Sequence, residues 1–103
     1  MTGDGMHAPG DCATMCELRA EIDRLDAEIV ARLAERAGYI DRAAELKRGN
    51  GLPARIDARV EEVVAKVTAR AEALGLDPVL VEKLWRGLIE WSIDREERAL
   101  GRK

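Results

Sequence analysis

The sequence predicts an all-α fold of three helices, one of them very long. Three observations carry this. Ala, Leu, Glu and Arg, all strong helix formers, dominate the composition, while aromatics make up 3% and Phe is missing. The alternating Val, Ile, Thr and aromatic runs that a sheet core needs extend over no more than a few residues. Apolar residues instead recur at spacings of three and four, through Leu18, Ile22, Leu25, Ile29, Leu33, Ala37, Ile40 and Ala44.

Residues 1–14 read as a disordered tail and residues 15–103 as one helical domain. Thr14 and Glu17 fit a capping box at the start of the first helix. That helix is expected to reach Arg48, stopped by Gly49-Asn50-Gly51 with Pro53 close behind. The second should start with Asp57 as N-cap and run to Leu74, with Gly75 as the stop. Its stripe is Val60, Val63, Val64, Val67, Ala71 and Leu74. Asp77-Pro78 opens the third, which carries Val81, Leu84, Trp85, Leu88, Ile89 and Ile93 before fading near Gly101.

A chain of 103 residues with a net charge of −3 has no basic surface to offer nucleic acid, so no such partner is expected. Residues 1–16 show neither a basic start nor an apolar run, and no stretch approaches the roughly 20 apolar residues that cross a bilayer. The expectation is a cytoplasmic protein without a membrane partner. Cys12, Cys16 and His7 offer three ligands in a glycine-rich tail against the four of a closed zinc site. No metal is expected, and the thiols read as reduced and inert.

At about 1.5 Å per residue the first helix would be roughly 50 Å long, whereas a compact monomer of this size has a radius of gyration of about 13 Å. Its apolar stripe would stay wet in a single chain. A second copy laid along it removes the problem, which predicts an intertwined homodimer.

Cations interrupt the expected apolar pattern. Arg36 and Lys47 are eleven residues apart in the sequence, hence within about 20° of each other around the helix and about 16 Å along it. Arg32 lies near the same face. The ordinary reading is that their stems cover apolar surface while the heads reach water, paired with Glu35, Asp41 and Glu45. Arg59, in the first turn of the second helix, opposes the helix dipole and is better placed to meet an anion approaching that N-terminus. Arg19 would lie roughly 25 Å from Arg36 along the same rod. If both serve one small ligand, Arg19 must come from the other subunit.

With these positions laid out, the sequence resembles the all-helical class of chorismate mutases over about residues 17–98. The resemblance rests on Leu18-Arg19-Ala20-Glu21-Ile22-Asp23, Leu25-Asp26, Leu33-Ala34-Glu35-Arg36, Lys47, Pro53, Arg59, Gly75-Leu76-Asp77 and Leu88-Ile89-Glu90. Asp11-Cys12, Tyr39, Arg59-Val60 and Ile89-Glu90-Trp91 look similar to isochorismate-pyruvate lyases. The resemblance implies a cofactor-free helical homodimer with shared sites that binds a small dicarboxylate enol-pyruvyl ether. It assigns the carboxylates to Arg36 and to Arg19 of the partner subunit, with Arg59 lining the pocket and Ser92 near a carboxylate. Lys47 would reach the ether oxygen and a carboxylate. Glu96 stands where bacterial members usually have glutamine, on the other side of that oxygen, and can donate to it only when protonated. Ile56 and Val60 are apolar where many mutases place carboxyl groups for the substrate hydroxyl, with Asp57 nearby.

These residue types suit a Claisen rearrangement, which needs no nucleophile, base or metal. A protein contributes a folded substrate conformation and stabilisation of charge on the departing oxygen. Guanidinium forks suit carboxylates, and a lysine ammonium suits a compact developing charge. The first reading is therefore conversion of chorismate to prephenate, and the second is isochorismate-pyruvate lyase, yielding salicylate and pyruvate. The 4-amino-4-deoxychorismate mutase reaction is a further alternative. A non-catalytic helical dimerisation module would instead splay Arg36, Lys47 and Arg59 into solvent.

Overall fold

The computed structural model describes residues 7–101, and every regular element among them is helical: a 3-10 turn at Pro9–Asp11, then α1 (Met15–Asn50), α2 (Asp57–Ala73) and α3 (Pro78–Leu100). The chain divides into two compact units, Met1–Arg36 and Ala37–Lys103, and α1 contributes to each.

In the first unit, α1 starts on the expected capping box. Thr14 Oγ1 accepts the Glu17 N–H at 3.1 Å, while Glu17 Oε1 accepts the N–H groups of Thr14 and Ala13 at 3.3 and 2.7 Å. Of the tail expected over residues 1–14, residues 1–6 lie outside the described residues. Residues 7–14 carry the 3-10 turn and lean on the helix, where the His7 N–H donates to Glu21 Oε2 at 3.1 Å. The Arg24 guanidinium donates to the same carboxylate and holds it below the usual carboxylate range. Cys12 donates its thiol to the Ala8 carbonyl, and no cluster of three metal-binding side chains occurs among the described residues. In this single chain the stripe of Ile22, Leu25, Ile29 and Leu33 remains 39–56% exposed.

The second unit holds the core. α1 runs two residues past the expected Arg48 because Gly49 and Asn50 still accept helical backbone. Gly51 then takes φ +76°, open to glycine without a Cβ clash, and its N–H closes on the Lys47 carbonyl at 2.8 Å. The start of α2 corrects the expected Asp57 cap. Ile56 occupies the cap with extended backbone (φ −126°, ψ 103°) and no side-chain capping bond, and its carbonyl accepts the N–H groups of Arg59 and Val60. Asp57 is instead the first helical residue, where its charge still complements the dipole.

α2 ends one residue before Leu74 in a Schellman motif, Leu76 N–H to Ala71 O at 2.8 Å and Gly75 N–H to Glu72 O at 3.1 Å, with Gly75 at φ +75°. Asp77 caps α3 by accepting the Val79 N–H at 2.9 Å, with Pro78 at the first helical position. The short connection folds α3 back on α2, burying Ala54, Val64, Ile89 and Ile93 against Val60, Val63 and Trp85. Each fully buried Val or Ile side chain stabilises by about 1.5–3 kcal/mol. Asp41 joins the end of α1 to α3 through both carboxylate oxygens, at 2.6 and 3.0 Å from Arg95, whose guanidinium also lies over the Trp91 ring. Arg48 adds a bond to the Ala99 carbonyl. No helix among the described residues is long and apolar enough to cross a membrane.

Candidate active site

Lys47 sits in the last turn of α1, on the face that buries Ala44 one turn earlier. Its side chain is mostly buried. It donates to Glu96 Oε1 at 2.6 Å and to the Ala54 carbonyl at 2.8 Å, with its side chain 17% exposed and that of Glu96 6% exposed. Glu96 belongs to the inward stripe of α3, which runs Val81, Ile89, Ser92, Ile93, Glu96. Helical spacing thus places a carboxylate and a hydroxyl where a plain bundle would put leucine.

Burial of such a pair is informative. Removing two charges from water costs several kcal/mol per ion, and their mutual attraction barely recovers it, so packing alone gives no reason to keep the pair. The ammonium has three protons, and partners among the described residues take two, leaving one for an incoming acceptor. An oxygen entering beside Nζ would meet a fixed cation in a mostly dry setting, where its charge counts for far more than in water. The dimerisation-module reading expects Arg36, Lys47 and Arg59 in solvent; Lys47 is mostly buried and Arg36 half-buried, whereas Arg59 is exposed.

The other expected residues separate. Ser92 is buried and donates to the Leu88 carbonyl at 2.9 Å, the i−4 bond typical of a helical serine. Arg59 is on the surface, where Glu62 one turn on accepts from its guanidinium at 2.8 Å. Arg19 and Arg36 belong to the first unit, Arg19 exposed and Arg36 half-buried. Val60 packs against the apolar cluster, Ile56 is half-buried, and Asp57 is exposed.

Sequence reasoning missed Ala54, whose contribution is a backbone carbonyl with no side-chain signature. It also missed the ion pair from Arg55, the next residue, to Glu90 on α3. The Arg55 hydrogen bond keeps the Glu90 carboxyl below the usual carboxylate range.

Comparison with known proteins points one way. The family model described as chorismate mutase type II matches residues 18–97. The isochorismate pyruvate lyase of Pseudomonas aeruginosa is 35% identical over 85% of this chain and 86% of its own length. The T-protein of Enterobacter agglomerans is 32% identical over 82% of this chain, which spans 22% of that protein. The bifunctional chorismate mutase/prephenate dehydratase of Aquifex aeolicus is 43% identical over half of this chain and 14% of its own length.

Proposed function

The chain belongs to the chorismate mutase type II family, and from that premise we propose that it converts chorismate to prephenate. The observation that carries this reading is the buried contact between Lys47 Nζ and Glu96 Oε1. During the rearrangement the ether C–O bond breaks as a C–C bond forms within the same molecule, and negative charge grows on the departing oxygen. Lys47 offers that oxygen its remaining N–H, and Glu96, which the family resemblance sets on the other side of the oxygen, holds the ammonium in place. The departing oxygen is proposed to bind beside this pair, at the Lys47 N–H that neither Glu96 nor Ala54 takes.

The two substrate carboxylates go to Arg36 and to Arg19 of a second subunit, following the family resemblance. The exposed stripe of Ile22, Leu25, Ile29 and Leu33 supports the homodimer that this requires. Arg59 must release Glu62 before it can meet a carboxylate. Ser92 lies one helical turn before Glu96 on the same buried stripe, and the family resemblance sets it near a carboxylate.

A second reading, isochorismate-pyruvate lyase, is favoured by the Pseudomonas aeruginosa relative, which aligns over most of both chains. The apolar Val60 agrees with it. The same cage would serve, with a hydrogen moving to the pyruvyl carbon as pyruvate leaves. Purified protein offered chorismate and isochorismate separates the two: prephenate identifies the mutase, salicylate with pyruvate the lyase. Turnover of 4-amino-4-deoxychorismate in preference to both would identify the third alternative. If none of the three turns over and a dicarboxylate transition-state mimic does not bind, the enzymatic reading falls.

A further inference from the structure

The connection between α1 and α2, residues 51–56, supplies one of the two partners of Lys47, and its seat on α3 has two parts. Ala54 is buried against Ile89 and Ile93, and Arg55 is ion-paired with Glu90, the α3 residue next to Ile89. The carbonyl that takes a Lys47 N–H belongs to the residue just before Arg55, so movement of Arg55 away from α3 carries that acceptor away from Nζ.

We propose that Arg55 and Glu90 form a latch that seats this connection on α3 and thereby positions Lys47 for ligand. The proposal rests on the reading of Lys47 given above. Arg55 and Glu90 are positioning residues and touch no reacting atom. With the latch closed, Ala54 O and Glu96 fix two of the three Lys47 protons and so fix the direction of the third. With it open, Lys47 keeps Glu96 but loses the second anchor, and a ligand must close the connection as it binds. The apparent affinity then falls by the fraction of molecules that are closed, while turnover of the bound, closed complex is unchanged. Both side chains of the latch are about half exposed, 44% and 58%, which sets a modest effect of about two- to fivefold.

The test compares Arg55→Gln, Glu90→Gln, their combination and Arg55→Lys in the full-length protein. Either glutamine variant should raise KM two- to fivefold with kcat within twofold of the parent. Hydrogen exchange at the amides of Ala54, Arg55 and Ile56 should accelerate by a similar factor. The double variant should be no worse than either single one, because both remove the same contact, and Arg55→Lys should restore most of the parental KM. Parental exchange rates in the glutamine variants, multiplied effects in the double, or a loss confined to kcat would overturn the latch. If the parent turns over no substrate, the functional reading fails on that result alone. The exchange rates then decide whether the latch exists.

Discussion

Replacing Lys47 by Met keeps the length of the stem and removes the charge. The Glu96 carboxylate, 6% exposed, then loses its cation, and the Ala54 carbonyl loses its donor. Breaking a buried pair from one side costs about 3–5 kcal/mol. The low end applies because Lys47 is itself 17% exposed, so some water already reaches the pair. Glu96→Leu should cost less, about 1–2 kcal/mol, since the remaining ammonium keeps Ala54 O and can lean toward water along a flexible stem. Lys47→Met with Glu96→Leu should lie within about 1 kcal/mol of the parent, because two apolar side chains fill the space without an orphaned charge. Urea unfolding at fixed protomer concentration measures all four proteins, concentration being held constant because self-association adds to apparent stability. The expected coupling between the two sites is about 3–5 kcal/mol. A Lys47→Met cost below about 1 kcal/mol, or strictly additive losses in the double variant, would show that the two charges are solvated separately and would remove the physical basis of the candidate site.

Three other outcomes follow from the same geometry. Lys47→Ala should cut kcat by on the order of a hundredfold, as expected for loss of an oxyanion donor; activity within twofold of the parent would reject that role. Arg19→Ala and Arg36→Ala chains, each inactive alone, should regain activity when mixed and allowed to exchange subunits, and continued inactivity would count against a shared site. The hydrogen bond from Arg95 holds the Asp41 carboxyl below its ordinary range, so its contribution to stability is present above the unfolded value of about 3.9 and is lost as pH falls through the lower folded value. Asp41→Asn should therefore melt below the parent near neutral pH, with the gap closing in acid, and a gap that persists at pH 2 would contradict the sign.

Much of the helical scaffold was legible in the sequence because its signals are local. Thr14 and Glu17 lie three residues apart, Gly75 can take positive φ where the chain must turn, and Asp77-Pro78 starts a helix whatever surrounds it. The error at the start of α2 has an equally local origin. Asp57 suits either the cap or the first turn, and the backbone settled on the latter once the Ile56 carbonyl bonded to Arg59 and Val60.

Composition and the three-to-four spacing of apolar residues were enough to set the helical class, because both act within one or two turns. The same spacing turned Lys47 toward the buried face of α1 and Glu96 toward that of α3. It was silent on which residue meets which. The pairs Lys47–Glu96, Asp41–Arg95 and Arg55–Glu90 each join positions 35 or more apart in sequence, and depend on how the helices are rotated and shifted against one another. Arg59 shows the converse: a long flexible side chain with Glu62 in reach one turn away took the local partner, a choice that spacing allowed but did not require. Only packing in three dimensions enclosed one cation with a carboxylate and a backbone carbonyl while leaving others on the surface, because the cost of burying a charge depends on everything that surrounds it.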